Sequence, residues 1–225
     1  MEAILEAVIS TVVAGVLKKV LDHVFESQQQ PSAQYRFPWL WWIIGLTVAG
    51  GIGGAFSAAL GVQGLNTPGG LDNWAAFGAC LGIAQWLVLQ KEARLSAFWP
   101  VASALGWSVF AFFEAAKAPG PVGWIFAGLA VGLLQWPILS KRRRKAYWWI
   151  PVNAVAWFFG GSIGIAAGVG MKGAGLSDAS VWVLGWSLVG LFGSLITGFA
   201  LFRMPLKQTA SPPAGPSPSP GGQPA

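Results

Sequence analysis

Six long apolar runs, separated by turn residues and charges, constrain this chain more than any other feature it carries. They cover roughly residues 38–60, 74–90, 98–117, 121–140, 147–171 and 180–203. The breaks between them read NTPGGLDN, KEARLS, AKAPGP, SKRRRKAY and MKGAGLSD, all of them turn chemistry or charge. Apolar runs of about 17 to 25 residues are long enough to cross a bilayer as helices. The expected fold is therefore all-α: a polytopic membrane bundle of six transmembrane helices within residues 38–203. The charge content agrees, since only 10% of the residues are charged, against about a quarter in a soluble domain.

The cations set the expected orientation. With the N-terminus inside, Lys18, Lys19, Arg36, Lys91, Arg94, the run from Lys141 to Lys145, Arg203 and Lys207 share one side, leaving only Lys117 and Lys172 opposite. Cytoplasmic loops are the ones rich in Lys and Arg, so the chain is expected in the cytoplasmic membrane with both termini in the cytoplasm. On this reading the net charge of +6 is a topology signal rather than a nucleic-acid signal, although a basic loop beside a membrane also suits anionic headgroups.

The stretches GIAQWLVLQK at 82–91 and GLLQWPILSK at 132–141 repeat one pattern. Gly78, Gly82, Gln85, Trp86, Leu89 and Lys91 align with Gly128, Gly132, Gln135, Trp136, Leu139 and Lys141. The sixth run gives a degraded copy: Gly190, Ser194, Thr197, Gly198, Leu201 and Arg203. The odd-numbered runs share Trp42, Trp99 and Trp149, followed seven residues on by Ala49, Gly106 and Ala156 and then by Gly50, Trp107 and Trp157. Three repeated helical hairpins in series follow as the expected architecture, related about an axis along the membrane normal.

Small residues four apart line one helix face and let a neighbouring backbone approach closely. Gly78 with Gly82, Gly128 with Gly132, the series Gly160, Gly164 and Gly168, and Gly190, Ser194 and Gly198 are the expected packing faces. Gln85 and Gln135 lie two turns beyond Gly78 and Gly128. An amide in hydrocarbon needs a partner, so each is expected to bond a neighbouring helix, or alternatively to line a polar cavity together with Asn153, Trp107 and Trp157. The last two lie about 12 Å deeper than Trp99 and Trp149 and require acceptors such as Asn153, Ser103 or Ser162. Trp39, Trp41, Trp42, Trp86, Trp99, Trp136, Trp148 and Trp149 are expected at one headgroup level, and Trp74, Trp124, Trp182 and Trp186 at the other.

Chemistry-bearing residues are sparse. Glu114 is the only carboxylate inside an expected span, which makes it a candidate ion site or an interfacial acid. The single cysteine, Cys80, has no intrachain partner for a disulfide, and with only His23 beside it no Cys/His metal site follows. No nucleophile elbow, metal-binding HExxH or phosphate loop is present, and GGIGGAF at 50–56 lies within an apolar span rather than after a strand. The expectation is a protein that is no enzyme, with no catalytic residues, no cofactor, no metal and no nucleic-acid partner.

The ends differ from the middle. Residues 1–30 are expected to form an N-terminal amphipathic helix in the cytoplasm, with an apolar stripe from Ile4-Leu5 to Val24-Phe25. A surface-lying helix prefers basic residues on its polar face; here Glu2, Glu6, Asp22 and Glu26 outnumber Lys18 and Lys19. Packing against a cytoplasmic protein partner or its own copies is therefore favoured over membrane lipids. From residue 208 the chain turns to Pro, Ser and Gly, a composition expected to stay disordered through 225.

With its GxxxGxxQWxxL unit, basic turn and Trp-rich following helix, the chain resembles uncharacterised multipass membrane proteins of cyanobacteria and other bacteria, over roughly residues 74–165. The resemblance implies a membrane architecture and no particular activity. The expected role is that of a membrane anchor, scaffold or complex subunit; the alternative is a small-solute or lipid transporter or channel with its cavity near Gln85 and Gln135.

Overall fold

The computed structural model describes residues 38–59, 70–93, 95–117 and 120–207. The expected helix over residues 1–30 and the tail from residue 208 lie outside the described residues. The described chain is helical, in six elements: α1 (Trp39–Ala59), α2 (Leu71–Ala93), α3 (Phe98–Ala115), α4 (Gly120–Ser140), α5 (Trp149–Gly173) and α6 (Asp178–Arg203). A single 3-10 turn, Ala146–Trp148, leads into α5.

Local chemistry accounts for the helix ends. Pro100, Pro121 and Pro151 stand in the first turns of α3, α4 and α5, where a backbone N–H has no helical partner to lose. Helix α6 begins at Ser177, whose hydroxyl accepts from the Ser180 N–H at 3.3 Å, and Asp178 follows where the helix dipole favours an acid. Helix α5 ends on Gly175 at φ +84°, a left-handed conformation that suits glycine. There the Leu176 N–H reaches Met171 O at 3.2 Å and the Gly175 N–H reaches Lys172 O at 3.0 Å, closing the last turn.

Five of the six helices are long and apolar enough to cross a membrane. The exception is α2, where Asp72, Asn73, Gln85 and Gln90 dilute an otherwise apolar sequence. Large apolar side chains cover the outside of the bundle, among them Phe98, Leu105, Phe112, Val155, Val169 and Phe202. Polar side chains are buried instead: Gln85, Ser103, Gln135, Asn153, Ser194 and Thr197 are each at most 1% exposed. A surface of this kind belongs in lipid, because an apolar exterior of this extent is a liability in water.

The helices form a closed ring in chain order. Each packs on its neighbours in sequence, and α6 returns to pack along α1 in the most extensive seam. Glycines make the seams close. A Cβ at Gly190 would collide with the Leu46 carbonyl across the α1–α6 seam, and one at Gly50 with the Trp186 carbonyl. The seam thus brings two backbones together where no side chain intervenes.

Gly190→Val should therefore destabilise the bundle by overpacking, by roughly 1–3 kcal/mol. Gly170→Ala, which points into open space on α5, should be neutral or stabilising by about 0.5–1 kcal/mol. Thermal unfolding followed by circular dichroism in detergent checks both, and equal midpoints for the two variants would contradict a tight α1–α6 seam.

Candidate functional site

The bundle interior has two layers, and the first is polar. Near the end that carries the basic loop, Trp99 on α3 donates its indole N–H to Gln85 Oε1 on α2 at 2.9 Å. In the same way Trp149 on α5 donates to Gln135 Oε1 on α4 at 2.8 Å. Trp42 on α1 donates to Thr197 Oγ1 at 3.2 Å and to the Ser194 carbonyl at 3.1 Å, both on α6. Each indole thus bonds the helix that precedes its own around the ring.

The two amides are joined directly. Gln135 Nε2 donates to Gln85 Oε1 at 3.0 Å and to Ser103 Oγ at 2.7 Å, and the Ser103 hydroxyl donates to the Trp99 carbonyl at 3.1 Å. One turn beyond Trp149, Asn153 Nδ2 donates to the Trp149 carbonyl at 2.8 Å, and Asn153 Oδ1 accepts from the Trp157 indole at 3.0 Å. Three helices, α2, α3 and α4, thereby share one network, and α5 joins it through Trp149. Hydrogen bonds between membrane helices contribute roughly 1 kcal/mol each.

The second layer is aromatic and lies toward the opposite end. Trp74, Trp124 and Trp186, from α2, α4 and α6, meet one another with ring centroids 6.2, 5.4 and 5.6 Å apart. Trp107 stacks on Trp74 at 6.0 Å and meets Trp157 nearly edge-on at 4.9 Å. Such pairs contribute about 0.5–1.5 kcal/mol beyond their buried area. At the margin of this layer, Glu114 is half-buried and accepts the Trp74 indole N–H at 2.7 Å.

The tryptophans expected at the two headgroup levels differ in how they face the bundle. Trp42, Trp99 and Trp149 face its interior; each is 0% exposed, and a buried oxygen on the preceding helix accepts its N–H. Trp74 and Trp124 are likewise interior, at 8% and 2% exposure. Trp148 and Trp136 do face outward, and Trp86 sits half-buried, donating to the Leu95 carbonyl.

The small residues lie at helix seams. A Cβ on Gly78 would come 2.6 Å from the Ser103 carbonyl, and one on Gly82 2.8 Å from the Pro100 Cα. Gly128 and Gly132 face the α5 backbone at Asn153–Ala154 and Ile150 in the same manner. Gly160 and Gly164 face α6 at Val189 and Gly185, and Gly198 faces Trp42. Ser194 is buried and supplies its carbonyl to Trp42. Gly168 differs, with only Val181 at 3.5 Å. The Trp74, Trp124 and Trp186 cluster was the missed feature. Its signal is that these residues stand four before Gly78, Gly128 and Gly190, so the repeat alignment extends one turn further.

The basic loop holds a second structural device. Arg143 is 5% exposed, and its Nη1 donates to the Leu201 carbonyl at 2.9 Å and to the Met204 carbonyl. A cation there satisfies the last carbonyls of α6 and complements its dipole. Backbone bonds from Arg144 N–H to Pro205 O and from Lys207 N–H to Arg142 O, both 2.8 Å, fasten the two segments together. The neighbouring Lys141, Arg142, Arg144 and Lys145 are exposed.

Span-length helices, an apolar exterior and an interior of mutually bonded amides and indoles define a multipass helical membrane protein. No protein-family model matches the chain, and neither does any curated protein or solved structure.

Gln135→Leu strands the Trp149 indole and removes the bonds to Gln85 and Ser103, so a loss of about 1–3 kcal/mol is expected. Gln85→Leu should cost a similar amount. The double variant should lose less than the sum of the two, because both single changes break the same Gln–Gln bond. Denaturant unfolding in mixed micelles measures this, and strict additivity would contradict the direct bond.

Proposed function

We propose that this chain is a non-enzymatic integral protein of the cytoplasmic membrane, acting as an anchor, scaffold or complex subunit. Both termini face the cytoplasm, and residues 1–30 engage a cytoplasmic protein partner or further copies of the chain. The observation that carries this reading is the commitment of the interior amides. Gln85 and Gln135 bond each other at 3.0 Å, and each also accepts an indole N–H. A transporter built around those two residues would have to break that network at every cycle, whereas a scaffold uses it permanently.

The bundle is read as three repeated helical hairpins: α1 with α2, α3 with α4, and α5 with α6. The recurring donation from Trp42, Trp99 and Trp149 to Thr197, Gln85 and Gln135 supports this. So does the triangle of Trp74, Trp124 and Trp186, which occupies matching positions in α2, α4 and α6. Thr197 takes the place of glutamine in the third copy and keeps the function of accepting an indole N–H.

The cytoplasmic orientation rests on the cations. Lys141, Arg142, Arg144 and Lys145 are exposed at the end where α6 also terminates, and basic residues mark the cytoplasmic side. The exposed Tyr147 and Trp148 beside them suit a headgroup level.

Two measurements test the reading. Gentle extraction, affinity capture and native mass spectrometry should show a stoichiometric cytoplasmic polypeptide, or a homo-oligomer, that deletion of residues 1–27 dissociates while the bundle stays folded. Retention of the same assembly after the deletion would contradict engagement through the N-terminus. Solute flux into liposomes that is abolished by Gln85→Leu with Gln135→Leu in a still-folded protein would favour the transporter instead.

A further inference from the structure

The consecutive cations from Lys141 to Lys145 repel one another, and a stretch that served only as a charge signal would need no fixed shape. This one is fastened along its length. The N–H groups of Arg142 and Arg143 reach the Leu139 carbonyl at 3.0 and 2.9 Å, and the Trp148 N–H reaches Lys145 O at 3.1 Å. Arg144 N–H to Pro205 O and Lys207 N–H to Arg142 O tie the loop to the chain beyond α6. Arg143 faces Leu206 in an antiparallel bridge and turns its guanidinium inward onto the end of α6. Arg142 and Arg144, on either side of it, stay exposed.

This fastening gathers charge from two segments of the chain. Lys207 is held beside Arg142 by their backbone bond, so the exposed cations Lys141, Arg142, Arg144, Lys145 and Lys207 form one patch. The described carboxylates do not offset it. Asp72 and Asp178 stand in the first turns of α2 and α6 and Glu114 in the last turn of α3, all at the other end of the bundle. The patch also lies at the lipid boundary. Tyr147 and Trp148 beside it are exposed, with ring centroids 5.8 Å apart, and such residues belong at the headgroup level. At the same end the Arg203 guanidinium lies over the outward-facing Phe199 ring, 5.1 Å from its centroid, with its stem along apolar surface and its charge at the interface.

We propose that this patch binds the phosphodiester headgroup of an anionic lipid, phosphatidylglycerol being a simple member of the class, with Arg142 and Arg144 as its principal ligands. Guanidinium forks match phosphate oxygens in a way that ammonium groups do not. Two residues apart, the Arg142 and Arg144 Cα atoms are separated by at most about 7 Å, so both side chains reach one headgroup. A backbone fixed beforehand lowers the ordering cost of binding. A lipid headgroup at this depth keeps its acyl chains in the membrane, beside the exposed Trp148 and Leu206; a free phosphate, a nucleic acid or an acidic peptide gains nothing from those apolar neighbours. The site is independent of any partner at the N-terminus.

The full chain in non-ionic detergent, titrated with dioleoyl phosphatidylglycerol or dioleoyl phosphatidylcholine at physiological ionic strength, tests the proposal by native mass spectrometry of the first lipid bound. Phosphatidylglycerol should bind at least about 10-fold tighter than its zwitterionic counterpart. Arg142→Gln with Arg144→Gln should reduce that preference about 10-fold, the worth of two cations at a charged surface. Arg142→Lys with Arg144→Lys keeps the charge but not the forks and should lose about 2- to 10-fold. Circular dichroism and size-exclusion profiles establish folding, and the Lys pair decides the matter if the Gln pair is not folded. Equal affinity for the two lipids, or an undiminished preference in either folded variant, would overturn the proposal. So would displacement of phosphatidylglycerol by inorganic phosphate, a short oligonucleotide or polyglutamate, each of which would reassign the patch to that class of ligand.

Discussion

An indole or amide inside a bilayer has no water to bond, and leaving it unmet costs several kcal/mol. That constraint organises this molecule. Gln85 reaches Trp99 and Gln135, Gln135 reaches Trp149 and Ser103, and Asn153 reaches Trp157. The side chains that an isolated helix could not tolerate in lipid are the ones that choose which helices stand side by side. The glycines are the other half of the same arrangement. Gly78 and Gly82 let α3 approach until the Ser103 carbonyl and hydroxyl lie against them, and that approach places Ser103 within reach of Gln135 on α4. Replacing close backbone contact by bulky packing would pull the donors and acceptors apart.

The ring is completed by devices of different chemistry. Across the α1–α6 seam Thr197 does with a hydroxyl what glutamine does elsewhere, while Gly50 and Gly190 bring the backbones together. At the basic end Arg143 turns inward to hold the last carbonyls of α6, tying the α4–α5 loop to the chain that follows α6. One residue of a run that reads as a simple charge signal therefore has a packing role, and its four neighbours remain exposed. At the opposite end the load passes to aromatic faces, where Trp74, Trp124, Trp186, Trp107 and Trp157 fill the space between helices.

Much of the helix plan was legible in the sequence, because apolar length and turn chemistry are local properties. The expected run at 121–140 and the helix Gly120–Ser140 differ by one residue, and 98–117 and Phe98–Ala115 by two at one end. Inside and outside were harder to read. These helices are apolar on nearly every side, so no polar face marks the solvent side as it does in a soluble helix. Tryptophan makes the ambiguity worse, since its ring suits a core and its N–H suits a headgroup. Trp99 and Trp148 look alike in sequence; one is buried and the other 53% exposed, and the difference is an oxygen carried by another helix. Arg143 was invisible for the same reason, because its acceptors lie 58 and 61 residues away. The repeat was the one non-local signal available, and it pointed to the glutamines while stopping a turn short of the aromatic layer.

Exchange of the indole protons tests the sealed, mutually bonded interior most directly. With the chain labelled with ¹⁵N-tryptophan, reconstituted in micelles and transferred to D₂O, the indole N–H signals of Trp42, Trp99, Trp149 and Trp157 should persist long after that of Trp148 has vanished. Assignment follows from single Trp→Phe variants. If the four interior signals disappear as fast as that of Trp148, the interior is open to water, and the account of a bundle held together by its own buried amides and indoles is wrong.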